Sequence, residues 1–151
     1  MRDQPAARTT FFDVALQRHL ADVDPLVILG AGLDTRAYRL PTDARVRCFE
    51  VDKPATQQFK LEMLHKAGID ASRVTYVSAD FQNDDWFEKL AAAGFHPDRP
   101  SFFLWESVTM YLEREAVEST LRKIAGTARG TVVAFDYVSS QLLESRSLFM
   151  R

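Results

Sequence analysis

A short apolar run that ends in two closely spaced glycines constrains this chain more than any other feature of its sequence. The run Leu26–Leu29 is followed by Gly30, Ala31 and Gly32. Apolar residues closed by glycines predict a buried strand that enters a tight turn. Because Gly30 and Gly32 carry no Cβ, their backbone can adopt unusual dihedrals and a ligand can approach it closely. The pattern is typical of the first loop of a doubly wound sheet, although an ordinary strand and turn would also explain it.

Four further apolar segments predict strands, and helical segments separate them. The predicted strands are Arg45–Val51, Val74–Ser78, Ser101–Trp105 and Thr131–Tyr137. Strands that alternate with helices, without repeats or a linker, predict one α/β domain with a doubly wound parallel sheet and right-handed crossovers. A last helix is predicted at Gln141–Met150, and no strand follows it. We therefore expect the final strands of such a sheet to be missing from this chain.

Apolar side chains at helical spacing predict which face of each helix packs on the sheet. In the first helix, Phe11–Leu20, they are Phe11, Ala15, Leu16 and Leu20. In the helix that begins at Pro54 and stops at Gly68, they are Ala55, Phe59, Met63 and Ala67. The third helix, which Asn83 or Asp84 can cap, carries Trp86, Leu90 and Ala93. The fourth, Arg114–Ala125, carries Val117, Leu121, Ile124 and Ala125.

Length and composition are those of one ordinary globular domain and disfavour several classes of partner. The chain has 151 residues, of which 46% are hydrophobic and 26% charged, and its net charge is −2. This net charge does not indicate the positively charged surface that binds nucleic acid or an anionic membrane. The single cysteine, Cys48, stands inside a predicted strand, and the three histidines lack metal-ligand spacing, so no metal site is predicted. The N-terminus has no apolar leader, which makes a cytoplasmic protein the default expectation.

An acidic residue follows each of the first four predicted strands. These residues are Asp34, Asp52, Asp80 and Glu106, and parallel strands bring them to the same rim of the sheet. Asp52 lies twenty positions after Gly32, a separation at which a carboxylate can accept hydrogen bonds from ribose hydroxyls. The same carboxylate repels phosphate. The rim is therefore expected to bind a nucleoside-like ligand whose ribose carries no phosphate there.

The residue at the third position of a glycine fingerprint distinguishes between nucleotide ligands. Thr35 stands at that position, and Asp34 precedes it. A dinucleotide site needs a third glycine for close helix packing, and an acidic side chain repels pyrophosphate. A ligand with an ammonium group, a positive centre and no phosphate fits better, and S-adenosylmethionine has these features. A nicotinamide-dependent oxidoreductase remains the alternative, because it shares the glycine turn and the acidic residue for ribose.

Four sequence blocks together resemble the leucine carboxyl methyltransferase family, which includes bacterial O-methyltransferases linked to polyketide biosynthesis. The blocks are LGAGLDTRAYRL, FEVDKP, SADFQNDDW and WESVTMYLEREAV, and they occur in the family's order and spacing. The resemblance extends from Arg8 to Tyr137. It implies a Rossmann-like class I fold, S-adenosylmethionine as cofactor, and methyl transfer to a carboxylate or hydroxyl oxygen of a small molecule.

The resemblance also implies roles for individual residues in cofactor binding. The Gly30–Gly32 turn would line the methionine portion of the cofactor, and Asp52 would bind its ribose. Asp80 would accept a hydrogen bond from the exocyclic amine of adenine, and Phe81 would give the base an apolar contact. Asp52 could instead cap the helix that begins at Pro54, and Asp80 could be a turn residue.

Three further residues are implied at the methionine end and the acceptor. Glu106 would lie near the cofactor's ammonium group and the methyl-transfer centre, and Tyr111 would border the acceptor pocket. Either is a candidate for the general base that a hydroxyl acceptor requires, whereas a carboxylate acceptor needs none. Arg8 matches an arginine suited to a carboxylate of the cofactor or the substrate, although a merely solvated side chain is equally expected there.

Members of the family extend further at both ends than this chain. The helices that cover the pocket and the segments that shape the substrate site are therefore expected to be short or missing, and residues 1–151 to form a single incomplete cofactor-binding core. A non-catalytic cofactor-binding fragment is the second alternative. We further expect self-association through the exposed edge of the fifth strand, because an uncovered strand rich in β-formers is a template for pairing.

Overall fold

Five parallel strands form the central sheet of the computed structural model, which describes residues 4–41 and 44–140. They are β1 (Leu26–Leu29), β2 (Cys48–Asp52), β3 (Val74–Ser78), β4 (Phe102–Trp105) and β5 (Val132–Phe135). Their order is β3-β2-β1-β4-β5, and each neighbouring pair is parallel. The chain winds outward from β1 to β3 and then crosses back to β4, which confirms the predicted doubly wound sheet. The predicted helix Gln141–Met150 lies outside the described residues.

Helices pack on the sheet and bury its central strand on both faces. They are α1 (Gln4–His19), α2 (Pro54–Lys66), α3 (Trp86–Ala92) and α4 (Arg114–Ala125). In β1, Leu26 and Ile28 belong to one hydrophobic cluster and Val27 and Leu29 to the other. A strand covered on both faces needs apolar residues at successive positions, which explains the uninterrupted run. No helix among the described residues is long and apolar enough to cross a membrane.

The first helix is longer than predicted and turns a different side chain inward. α1 begins at Gln4 and ends at His19. Phe12 and Leu16, one helical turn apart, are buried, while Phe11 is 60% exposed. The prediction that Phe11 packs on the sheet is therefore wrong. Because Phe11 and Phe12 are adjacent, apolar character alone does not determine which of them faces the core.

The apolar face predicted to be buried in α2 lies on the outside. Its members, Ala55, Phe59, Met63 and Ala67, are all exposed. The buried face carries Gln57, Lys60 and Leu64 instead. The Gln57 amide donates to the carbonyl oxygen of Val77 at 2.7 Å, and the Lys60 ammonium donates to the Glu50 carboxylate at 2.7 Å. Buried polar groups require such partners, so two polar side chains fix the orientation of this helix.

One helix cap and several boundaries also differ from the prediction. Asp85, rather than Asn83 or Asp84, caps α3, because its carboxylate accepts hydrogen bonds from two backbone N–H groups of the first turn. Ala93 and Ala125, predicted to face inward, are exposed. β2 and β5 are shorter than predicted. The carboxyl ends of β1, β3 and β4 are where they were predicted, and that of β2 differs by one residue, so the rim that carries the predicted site is unchanged.

Candidate functional site

The Gly30–Gly32 turn lies at the carboxyl end of β1, beside the point where the strand order reverses. Gly30 and Gly32 have φ angles of 62° and 46°, which other residues rarely adopt. A Cβ on Gly30 would lie 2.5 Å from Cγ2 of Val108, whereas the nearest atom to a Cβ on Gly32 would be 4.0 Å away. Packing against the loop after β4 thus requires Gly30, while Gly32 leaves open space above the turn.

The segment after this turn contains a short 3-10 turn, Arg36–Tyr38, in place of an α-helix. In dinucleotide-binding folds the glycine turn leads into a helix whose N-terminal N–H groups bind pyrophosphate. Among the described residues between β1 and β2, no α-helix supplies such groups. The carboxyl end of β1 therefore lacks the usual pyrophosphate-binding element.

Two adjoining cavities meet at the glycine turn, and Gly30 and Ser107 line both. One, of about 420 Å³, is also lined by the rest of the predicted methionine-end group, Ala31, Gly32, Arg8 and Glu106. The other, of about 350 Å³, is lined by the remaining predicted residues, Asp52, Asp80, Phe81 and Tyr111. The structure therefore brings all the predicted site residues to one continuous region. Their roles toward a ligand stay predictions.

Glu106, which follows β4, has both carboxylate oxygens engaged by arginines. Its Oε1 accepts a hydrogen bond from Nε of Arg8 at 3.0 Å, and its Oε2 accepts one from Nη1 of Arg36 at 2.7 Å. The Arg8 side chain is 43% exposed, whereas that of Arg36 is 6% exposed. Arg8 is thus paired rather than merely solvated, and it is the more exposed of the two partners.

Arg36 is the central charged residue of the site, and the sequence reasoning assigned it no role. Its guanidinium donates to the carboxylates of Asp13, Asp34 and Glu106 and so joins α1, the loop after β1 and the loop after β4. Burial alone would lower the pKa of Arg36, but hydrogen bonds to Asp13 and Glu106 and the charge of Asp34 raise it above its ordinary value. The sequence carried one local indication of this role: Arg36 follows Asp34 by two positions. At this spacing the Asp34 carboxylate accepts a hydrogen bond from the Arg36 backbone N–H at 2.7 Å.

Asp52, at the tip of β2, supports the glycine turn directly. Its Oδ2 accepts a hydrogen bond from the Gly32 N–H at 2.7 Å, and its Oδ1 accepts one from the Lys53 N–H at 2.7 Å. Lys53 is the N-cap of α2, and no side-chain hydrogen bond caps this helix, so the capping alternative for Asp52 is wrong. A carboxylate offers about four lone-pair positions, so Asp52 can accept further hydrogen bonds from a ligand in the cavity.

Asp80 and Phe81, after β3, form one wall of the smaller cavity. The Asp80 carboxylate accepts hydrogen bonds from the Gln82 N–H and the Asn83 amide, both at 3.0 Å, as in a turn residue. The hydrogen bond from Gln82 is the main cause that lowers the pKa of Asp80. The Phe81 ring lies 5.8 Å from the Trp86 ring between centroids, so packing holds it as a rigid apolar surface.

Tyr111 lies at the open side of the smaller cavity. It ends the 3-10 turn Thr109–Tyr111 and is 76% exposed. No group of three or more His, Cys, Asp or Glu side chains that could hold a metal ion occurs within residues 4–41 and 44–140. The polar side chains that line the two cavities instead include carboxylates, guanidinium groups, hydroxyls and the ammonium group of Lys53.

Comparison with known proteins places the chain in a family. The family model described as leucine carboxyl methyltransferase matches residues 1–125. A relative from Parafrankia sp. is 42% identical over 122 residues, which are 79% of this chain and 39% of the relative. One from Mycolicibacterium smegmatis is 37% identical over 145 residues, which are 95% of this chain and 49% of the relative. Both names assign them provisionally to the S-adenosyl-L-methionine-dependent methyltransferases, and the chain spans less than half the length of either.

Solved structures show the same fold at low sequence identity. The apo S-adenosylmethionine-dependent methyltransferase SibL is 19% identical with a TM-score of 0.58, over 97% of this chain and 42% of that one. An O-methyltransferase family protein from Burkholderia thailandensis is 17% identical with a TM-score of 0.59, over 97% of this chain and 48% of that one. These likenesses establish the Rossmann-like fold of class I methyltransferases.

Proposed function

Because this chain belongs to the leucine carboxyl methyltransferase family, we propose that it is the S-adenosylmethionine-binding core of a methyltransferase. The observation that carries the proposal is the pair of adjoining cavities that meet at Gly30. One is lined by acidic and basic side chains, and the other by Asp52, Asp80 and an aromatic wall. These two chemistries match the zwitterionic methionine end and the adenosine end of S-adenosylmethionine.

The charged cavity suits an amino acid group. Glu106 would bind the ammonium group, and Arg8 would bind the carboxylate after giving up its hydrogen bond to Glu106. Arg36 would keep Glu106 in place during this exchange, because it is buried and also bound to Asp13 and Asp34. The open space at Gly32 supports the fit, since this residue lines the cavity and a Cβ there would have no atom closer than 4.0 Å.

The smaller cavity suits adenosine. Asp52 would accept hydrogen bonds from both ribose hydroxyls with the lone pairs that Gly32 and Lys53 leave free. Asp80 would accept a hydrogen bond from the exocyclic amine of adenine. Phe81 would pack against the base, with its ring already fixed by Trp86.

The reaction that fits this site is methyl transfer to an oxygen of a small molecule. S-adenosylmethionine supplies a methyl group on a sulfonium, which is a good leaving group. The chain's residues would mainly orient the reactants and exclude water. Because Arg36 and the ammonium group of the cofactor would occupy the Glu106 carboxylate, it is a poor general base, and Tyr111 is the remaining candidate. A carboxylate acceptor, which needs no base, is therefore favoured over a hydroxyl.

Calorimetric titration with S-adenosylhomocysteine and, separately, with NAD tests the proposal. We expect S-adenosylhomocysteine to bind and NAD to bind far more weakly, since in the described part of the chain between β1 and β2 no α-helix N-terminus follows the glycine turn to receive pyrophosphate. Tighter binding of NAD would overturn the proposal in favour of an oxidoreductase. Binding of S-adenosylhomocysteine without methyl transfer to any acceptor in a metabolite extract would favour a non-catalytic core. The cytoplasmic location stays a prediction from the sequence.

A further inference from the structure

A buried ion pair lies behind the glycine turn, outside the two cavities. The Lys60 side chain on α2 is 4% exposed and that of Glu50 on β2 is 1% exposed. The Lys60 Nζ donates to Oε2 of Glu50 at 2.7 Å. Burial raises the pKa of the Glu50 carboxyl, and hydrogen bonds from Lys60 and Tyr38 oppose this shift. Because burying two charges costs desolvation free energy, core packing alone does not explain the pair.

The same ammonium group also binds the backbone of the loop after the glycine turn. Lys60 Nζ donates to the carbonyl oxygen of Asp34 at 2.6 Å and lies 5.3 Å from the centre of the Tyr38 ring. The Asp34 N–H in turn donates to the carbonyl oxygen of Ala31 at 2.8 Å. Lys60 therefore fixes the position of the Asp34 carbonyl, two residues beyond the glycine turn.

The fixed backbone of Asp34 determines where its side chain points. Its carboxylate accepts hydrogen bonds from the backbone and the guanidinium of Arg36, and Arg36 donates to Glu106. A continuous set of hydrogen bonds thus runs from the buried pair, through Asp34, to the charged cavity. A shift of the Asp34 carbonyl would displace the Asp34 carboxylate, which lines this cavity and binds Arg36.

We propose that Lys60 is a positioning residue, which holds the Gly30–Arg36 segment in its ligand-binding shape by binding the Asp34 carbonyl. The inference rests on the proposed function for the identity of the ligand, but its structural part does not depend on that identity. If Lys60 served only to neutralise Glu50, an uncharged pair of similar size would replace both residues without consequence for the turn.

A double variant separates the two explanations. Lys60→Met alone leaves an unpaired buried carboxylate and is expected to destabilise the fold, whereas Glu50→Gln with Lys60→Met removes both charges. We expect the double variant to retain the wild-type circular dichroism spectrum but to bind S-adenosylhomocysteine at least about tenfold more weakly, because the bond to Asp34 is lost. Lys123→Met is the matched control, since it removes an ion pair with Asp85 far along the chain from the turn and should leave affinity unchanged.

Hydrogen exchange of the ligand-free protein gives a readout that does not require the proposed ligand. Peptides that cover residues 30–39 are expected to exchange faster in the double variant than in the wild type, while those that cover β4 exchange at the wild-type rate. Wild-type exchange in the turn, or wild-type affinity of the double variant for S-adenosylhomocysteine, would overturn the role of Lys60. If the wild type itself does not bind S-adenosylhomocysteine, the proposed function fails, and the exchange rates still decide the role of Lys60.

Discussion

Arg36 and Glu106 are 70 positions apart in the sequence, yet Nη1 of Arg36 lies 2.7 Å from Oε2 of Glu106. The contact joins the loop after β1 to the loop after β4. These two strands are neighbours in the sheet, and the order in which the chain adds strands reverses between them. Val108 lies against Gly30 in the same region. The two loops that would surround the methionine end of the cofactor are therefore held together by both charge and packing.

Asp52→Ala is expected to weaken binding of S-adenosylhomocysteine while the fold remains intact. The substitution removes the acceptor proposed for the ribose hydroxyls and also the hydrogen bond to the Gly32 N–H. Hydrogen bonds to charged groups contribute roughly 1.5–3 kcal/mol, so the dissociation constant should rise about ten- to hundredfold. Calorimetric titration measures the change. Unaltered affinity in a folded variant would remove Asp52 from the site.

Gly32→Val is expected to abolish binding, because a branched side chain would fill the open space above the turn. Gly32→Ala serves as the comparison: it meets the same unfavourable φ angle but adds only one carbon atom. Circular dichroism must show that both variants fold. Tight binding of S-adenosylhomocysteine by the valine variant would mean that the turn does not contact the ligand.

Phe12→Ala should destabilise the protein far more than Phe11→Ala. Phe12 is fully buried, and truncation of a buried phenylalanine costs about 3–5 kcal/mol. Phe11 is 60% exposed, so its truncation is expected to change the free energy of unfolding by about 0.5 kcal/mol or less. Urea denaturation of the two variants provides the measurement. Equal losses would show that α1 packs in another orientation.

Asp85→Ala should lower stability by about 1 kcal/mol at neutral pH, because it removes the N-cap of α3. The hydrogen bonds from Lys123 and from the Glu88 N–H lower the pKa of Asp85 below its ordinary value. The Asp85 carboxylate therefore contributes to the free energy of unfolding in full above the pKa of an unfolded aspartate. This contribution disappears as the pH falls through the lower pKa that Asp85 has in the folded protein. Thermal unfolding at several pH values should show wild type and variant converging in acid. Asn83→Ala, which removes a hydrogen bond to Asp80 but no helix cap, should lower stability less than Asp85→Ala at neutral pH.

Self-association through β5 remains a proposal that one substitution can test. Within the described residues β5 pairs only with β4, and the Val132 N–H donates to the Ser101 carbonyl. The N–H of Val133 therefore points away from the sheet, where another chain could pair with it. Val133→Pro removes that donor, whereas Val133→Thr keeps it. Light scattering after size exclusion should show oligomers of the wild type and the threonine variant and monomers of the proline variant; a monomeric wild type would contradict the proposal.

The sheet and the residues at its rim could be predicted from the sequence for a simple physical reason. Strands such as β1, buried on both faces, require uninterrupted apolar runs, and parallel strands bring whatever follows them to one edge. The positions of Asp52, Asp80 and Glu106 followed from this geometry without any knowledge of side-chain contacts. Their detailed partners did not.

What the sequence did not reveal depends on contacts between distant segments. Apolar spacing predicted the wrong face of α2, because the buried partners of Gln57 and Lys60 come from β2 and β3 and leave no local signal. The role of Arg36 likewise depends on Asp13 and Glu106, which come from other elements. Polar residues that face the core are recognisable only once their partners are placed.

The 3-10 turn Arg36–Tyr38 has a consequence for competition among the adenine nucleotides of a cell. ATP and NAD share the adenosine group that Asp52, Asp80 and Phe81 would recognise, and abundant metabolites of this kind would occupy an undiscriminating site. Because a one-turn 3-10 segment stands where an α-helix would offer its N–H groups, a polyphosphate lacks the backbone donors that usually bind it, and it meets the like charges of Asp34 and Glu106. The protein would thus select its ligand as much by rejecting phosphate as by binding adenosine.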